Sequence, residues 1–177
     1  IFDRAVAAGF GALCLTVDTH HYSRRERDIS KRYSAASART DNHALHQRSL
    51  DWAQFDKLRA RYKVPLIVKG IATAEDAEMA CAHGVDGVYV SNHGGRQLDH
   101  GRGSLDVLPE VVRAVAGRAT IIVDGSFVRG TDIVKAITLG AHAVGIGRLA
   151  CIGVAAAAEA GLVRVLELLE DEIRICL

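Results

Sequence analysis

The sequence predicts an α/β fold made from part of a (β/α)8 TIM barrel, about five βα units of the eight. Three observations predict it. Apolar runs of four to six residues alternate with helical periodicities from Ala12 to the end of the chain. The runs are continuously apolar, as expected of parallel strands covered on both faces. Each run also leads, on its C-terminal side, into polar side chains or glycines, and barrels gather function on that rim.

The first strand is expected over Ala12–Val17, with Thr16 and Asp18 at its exit. Polar and charged residues follow over 19–50, including Arg24-Arg25-Glu26-Arg27 and Ser34-Ala35-Ala36-Ser37. A connection this long reads as an active-site loop, expected to be mobile in its middle, Ser34–Leu50. A helix over Asp51–Tyr62 places Trp52, Phe55, Leu58 and Tyr62 on one side. The second strand, Pro65–Lys69, ends on a lysine. The next helix, Thr73–His83, opens with Thr73 and Asp76 in a capping-box-like arrangement and stops at Gly84.

The third strand, Gly87–Ser91, runs into Asn92-His93-Gly94-Gly95-Arg96. Leu108, Val111, Val112 and Val115 then mark a helix, with Pro109 expected near its start, where proline is tolerated. The fourth strand, Thr120–Asp124, leaves through Gly125-Ser126, and the helix Thr131–Leu139 is expected to be capped by Thr131 and ended by Gly140. The fifth strand, Ala143–Gly147, meets Arg148. A last helix runs through Leu162, Val165, Leu166, Leu169 and Ile173.

Repeated βα units imply a parallel sheet with right-handed crossovers. A doubly wound sheet would gather its ligand at one switch point. Five polar exits in succession favour the barrel instead. A whole barrel takes about 250 residues, and five parallel strands leave two unpaired edges. The chain, 1–177, is therefore expected to be the C-terminal part of a single barrel domain.

Composition narrows the function. The chain is 49% hydrophobic and 24% charged with a formal net charge of +1, which gives no electrostatic case for nucleic acid. No uninterrupted apolar run approaches the roughly 20 residues of a bilayer span, so no membrane insertion is expected. The opening Ile1-Phe2-Asp3-Arg4 already lies in an amphipathic pattern and is not a signal peptide. Cys14, Cys81, Cys151 and Cys176 are far apart with no metal-ligand spacing, which predicts reduced cysteines, no metal site and a cytoplasmic protein.

Chemistry concentrates at the strand exits. His93, followed by two glycines and Arg96, is placed as a general base, since a neutral imidazole accepts a proton near neutral pH. Asp18 could orient the ring and stabilise its protonated form. Arg96 and Arg25 carry fork-shaped guanidiniums suited to a carboxylate. Lys69 ends a buried strand and needs an anionic partner. Asp124-Gly125-Ser126 and Gly145-Ile146-Gly147-Arg148 end the last two strands, where barrels cradle phosphate.

With these residues in view, the chain resembles the FMN-dependent α-hydroxy acid oxidases and dehydrogenases, which include glycolate oxidase, lactate oxidase, lactate monooxygenase and mandelate dehydrogenase. The resemblance runs from Ala7 to the end. It rests on Leu15-Thr16-Val17-Asp18, Arg24-Arg25-Glu26-Arg27-Asp28, Val68-Lys69-Gly70, Ser91 through Asp99, Asp124-Gly125, Gly130-Thr131-Asp132 and Gly147-Arg148.

The resemblance implies oxidation of an L-2-hydroxy acid to the 2-oxo acid, with a hydride equivalent passed to flavin N5. His93 would be the base and Asp18 its support. Arg25 and Arg96 would hold the substrate carboxylate. Lys69 would lie by the flavin N1/O2 edge, with Thr16 and Ser91 also at the flavin. Asp124, Gly125, Gly147 and Arg148 would hold the ribityl chain and phosphate. Ser126 stands where the family has a second glycine and Val128 where it has a phosphate arginine; Arg129, one residue later, is the expected replacement. Oxygen, a quinone or a redox protein would accept the electrons, and the full-length protein would be a homo-oligomer. Two alternatives remain open: another FMN- or phosphate-binding barrel oxidoreductase, and an inactive or incomplete barrel fragment.

Overall fold

A computed structural model describes residues 1–19, 26, 30–33, 50–97 and 100–177. Arg25, Leu98, Asp99 and all but the last residue of the Ser34–Leu50 segment lie outside the described residues. The described elements are α1 (Phe2–Ala7), β1 (Leu13–Thr16), α2 (Trp52–Arg61), β2 (Leu66–Ile71), α3 (Ala74–Ala82), β3 (Gly87–Val90), α4 (Ser104–Val115), β4 (Thr120–Asp124), α5 (Gly130–Thr138), β5 (Ala143–Gly145) and α6 (Arg148–Cys176).

The five strands form one parallel sheet in sequential order, β1-β2-β3-β4-β5. That order, with helices between the strands, is the barrel succession rather than a doubly wound one. Along each strand alternate side chains face opposite ways. Val68, Val88, Val90, Ile121 and Val123 turn toward the helices and are at most 2% exposed. Each such valine contributes about 1.5–3 kcal/mol by leaving water. They pack on Phe55 of α2, Ala77 and Ala80 of α3, and Val107, Leu108, Val111 and Val115 of α4.

The opposite face is less covered than continuous apolarity suggests. Cys14, Thr120 and Ala143 are exposed there, and Ile67, Tyr89 and Ile122 are only partly buried. Among the described residues β1 and β5 each have a partner strand on one side only, and this inner face is half open.

Caps fix the elements. Asp51 accepts from the Gln54 amide at 2.8 Å to start α2, and Thr73 accepts from the Asp76 amide at 3.1 Å to start α3. Two helix details differ from expectation. Helix α4 begins at Ser104, so Pro109 lies inside it rather than near its start. The Leu105 carbonyl thereby loses its usual donor. Helix α5 begins at Gly130, so Thr131 is within it; the Asp132 carboxylate instead reaches back to the Arg129 amide at 3.1 Å.

Helix α6 is long and apolar enough, by length and composition alone, to cross a membrane, with a mean hydropathy of 1.8 and 11% of that window buried. It is not one rod. Ala157 and Ala158 leave helical geometry, and the chain folds back so that Gly153 packs on Gly161. A Cβ on Gly153 would stand 2.8 Å from the Gly161 carbonyl oxygen, so only glycine permits the crossing.

Candidate active site

Strands β1, β2 and β3 bring the first cluster together through one irregularity. Thr16 pairs with Lys69, and the Val17 amide donates to the Lys69 carbonyl at 2.9 Å, which carries Asp18 to the rim. After Lys69 the register with β3 shifts, so that Ile71, not Gly70, faces Val90. Gly70 sits in this bulge at φ +111°, and a Cβ there would lie 2.6 Å from Asp18 Cγ. The missing side chain is what lets the Asp18 carboxylate lean across β2 toward β3.

What it meets is His93. Nδ1 of His93 lies 2.7 Å from Oδ2 of Asp18, with the two side chains 30% and 17% exposed. A carboxylate at Nδ1 sets the tautomer with the proton on Nδ1 and leaves Nε2 as the acceptor. His93 has φ +54°, a left-handed backbone uncommon outside glycine. It is held there by Ser91, 1% exposed, whose Oγ accepts from the His93 amide at 3.2 Å.

The same Oγ accepts from Lys69 Nζ at 2.7 Å, and Nζ also lies 3.1 Å from Asp124 Oδ2. Ser91 therefore ties the lysine to the histidine. Lys69 finds in Asp124 the anionic partner its burial requires.

The turn after His93 is built from Gly94 and Gly95 at φ +66° and +71°, with Asn92 Oδ1 accepting from the Gly95 amide at 3.1 Å. Arg96 follows it, exposed. Beside the turn, Arg148 at the start of α6 donates to the Ser126 hydroxyl at 3.1 Å, and its guanidinium approaches Gly94. Ser126 stands at φ +59°, taking the left-handed conformation a glycine would adopt freely. Gly125, at φ +120°, backs onto Ser104; a Cβ would be 3.0 Å from Ser104 Oγ.

Thr16, Asp18, Lys69, Ser91, His93, Asp124, Gly125, Ser126, Gly147 and Arg148 thus gather on one rim. Arg129 does not join them. Its Nε pairs with Glu172 of α6 at 2.7 Å, while the other carboxylate oxygen of Glu172 accepts from the Gly130 amide at 2.6 Å. Arg129 fastens α5 to α6 instead of facing the Ser126–Arg148 corner. Arg25 lies outside the described residues.

The sequence reading missed Tyr89, Asn92 and Ser104. Tyr89 is the one aromatic in an aliphatic strand and pairs directly with Lys69, a register not visible in one dimension. Its phenol is pushed up to about 12, chiefly by burial and further by the neighbouring Asp124 carboxylate. A cavity of about 550 Å³ is lined by Asp18, Ser91 and Asn92 together with Trp52 and Phe55.

The comparisons with known proteins identify the family. The family model described as FMN-dependent dehydrogenase matches residues 1–177. The chain is 42% identical over 194 residues to the peroxisomal (S)-2-hydroxy-acid oxidase GLO4 of Oryza sativa subsp. japonica, covering 98% of this chain and 53% of that protein. It is 38% identical over 200 residues to an L-lactate oxidase of Nostoc sp., covering 100% of this chain and 55% of that one. A crystal structure of mandelate oxidase with (S)-2-phenylpropionate superposes with a TM-score of 0.88 at 37% identity, over 98% of this chain and 52% of that one. The chain spans about half the length of the curated relatives it matches. On residues, rim and whole-chain match together, the chain belongs to the FMN-dependent dehydrogenase family.

Proposed function

We propose that this chain carries the base and flavin-binding rim of an enzyme that oxidises a small L-2-hydroxy acid to the 2-oxo acid with FMN. The observation that carries the reading is the Asp18–His93 pair at 2.7 Å, tied through Ser91 to Lys69 at 2.7 Å. A base and a fixed cation on one rim are what removal of a proton beside a redox cofactor requires.

The residues present fit FMN. Among the described residues, Asp124 Oδ1 and Ser104 Oγ are buried without a hydrogen-bond partner, acceptors suited to the hydroxyls of a ribityl chain. Gly125, Ser126 and Gly147 leave the backbone open beside Arg148, which supplies the charge for a phosphate. Thr16, Lys69 and Ser91 would border the ring. When bound, FMN supplies the two-electron acceptor.

The chain's own groups do the rest. Nε2 of His93 takes the substrate hydroxyl proton, and Asp18 stabilises the imidazolium that results. Lys69 offers positive charge where negative charge gathers during the reaction. Arg96, with Arg25 from the connection after β1, would grip the substrate carboxylate.

Three further readings complete the proposal. The sheet edges at β1 and β5, unpaired among the described residues, support a chain that forms the C-terminal part of one barrel domain. The four free thiols support a reducing compartment, and we adopt the cytoplasm. Oxygen is the acceptor favoured by the oxidase relatives.

Anaerobic mixing of the FMN-loaded protein with lactate, glycolate or mandelate tests the reading. Bleaching of the flavin spectrum by one of them is the expected result. Binding of FMN with no bleaching by any 2-hydroxy acid would overturn it.

A further inference from the structure

Below the rim, four residues meet on the sheet face turned away from the helices. Lys69 pairs with Tyr89 across β2 and β3, and Asp124 pairs with Gly145 across β4 and β5. Lys69 Nζ stands 4.9 Å from the centroid of the Tyr89 ring, within range of a cation–π contact. Gly145 has no side chain at the point where the Tyr89 hydroxyl sits. A Cβ there would overlap Tyr89 Oη and stand 3.1 Å from Cζ.

We propose that Tyr89 is a positioning residue for Lys69, its ring capping the ammonium and its hydroxyl locked into the gap left by Gly145. Lys69 has three N–H donors, and Ser91 Oγ and Asp124 Oδ2 engage two of them at 2.7 and 3.1 Å. Both partners hold only the ammonium tip, so neither confines the lysine's long stem. The Tyr89 ring does, because it belongs to the central strand of the sheet and its own tip is fixed. An aliphatic side chain at 89 would fill space without attracting the cation. Any side chain at 145 would turn the phenol out. Tyr89 and Gly145 therefore act as a pair that sets where the Lys69 charge stands. The consequence for the flavin rests on the function proposed above; the contact itself does not.

The experiment is competitive acetylation of the full chain with acetic anhydride, quantified by mass spectrometry without added flavin. Lys57 and Lys63, both exposed, are the internal references. Tyr89→Leu should raise Lys69 labelling about fivefold relative to them, while Tyr89→Phe, which keeps the ring, should leave it within about twofold. Gly145→Ala should also raise it, and adding Tyr89→Phe to Gly145→Ala should restore it, because removing the hydroxyl relieves the overlap. Unchanged Lys69 labelling in a folded Tyr89→Leu variant would overturn the inference. So would additive effects of the two substitutions, which decide the matter even if Tyr89→Leu fails to fold. Because labelling is read without flavin, failure to bind or reduce FMN would sink the proposed function and leave this inference standing.

Discussion

His93 and Asp18 are hydrogen-bonded at 2.7 Å although 75 residues separate them in the chain. The bond crosses over Gly70, which would block it with any side chain. Histidine, carboxylate and permissive glycine thus come from three successive strands and their exits. His93→Ala is expected to slow substrate-driven flavin bleaching by about 10²–10⁴-fold with FMN still bound. Asp18→Asn should lower the rate in the same direction, since it removes the charge that stabilises the imidazolium. Rapid-mixing absorbance at saturating substrate measures both. Unchanged rates would remove His93 from the role of base.

Gly70→Ala tests the bulge. Its Cβ would lie 2.6 Å from Asp18 Cγ at a backbone φ of +111°. Urea unfolding is expected to show a loss of about 1–3 kcal/mol. Reduction by substrate should slow as well, because Asp18 must leave Nδ1 of His93 to make room. A variant of normal stability and normal rate would show that the close approach has no part in placing Asp18.

Two arginines near the last strands should behave differently. Arg148 is held by Ser126 beside Gly94, whereas Arg129 is paired with Glu172 at 2.7 Å. Arg148→Ala is expected to weaken FMN binding by about 10–100-fold, the worth of a hydrogen bond to a charged group. Arg129→Ala should leave FMN affinity nearly unchanged. Glu172→Ala should instead cost about 1–3 kcal/mol of stability, since the Gly130 amide loses its acceptor. Fluorescence titration with FMN and denaturant unfolding separate the two effects; equal weakening by both arginine variants would contradict the assignment.

Tyr89 sets a pH dependence. Its phenol is raised from 10.0 to about 12, so between those values the unfolded chain has lost a proton that the folded chain keeps. Stability contributed by the protonated phenol is complete below pH 10 and is lost as pH rises toward 12. The ultraviolet titration of wild type minus Tyr89→Phe should show one phenol ionising near 12. Tyr89→Phe should lose less stability over the same interval. A difference titration centred at the ordinary value of 10.0 would overturn the prediction.

Much of this was legible in one dimension. Five apolar runs fixed the strands because parallel strands buried under helices must be apolar, and Thr120–Asp124 was placed to the residue. The placement of His93, Asp18, Lys69 and Arg148 at strand ends was legible because each is polar at the point where an apolar run stops. Helix starts were less legible at α4 and α5, where the capping group comes from backbone or from a residue inside the helix. Arg129 was read toward the phosphate corner because sequence distance says nothing of Glu172, 43 positions further on and packed against it.

By itself, then, the sequence determined the strand succession, the side chains at the rim and the family, since these depend on residue type and local order. Tertiary structure decided which of those side chains touch. The bulge at Gly70 aims Asp18 at His93, register places Tyr89 against Lys69, and a glycine at 145 admits the phenol. Each of these depends on strand alignment and on atoms that are missing from a glycine, and neither has a signature along a single chain.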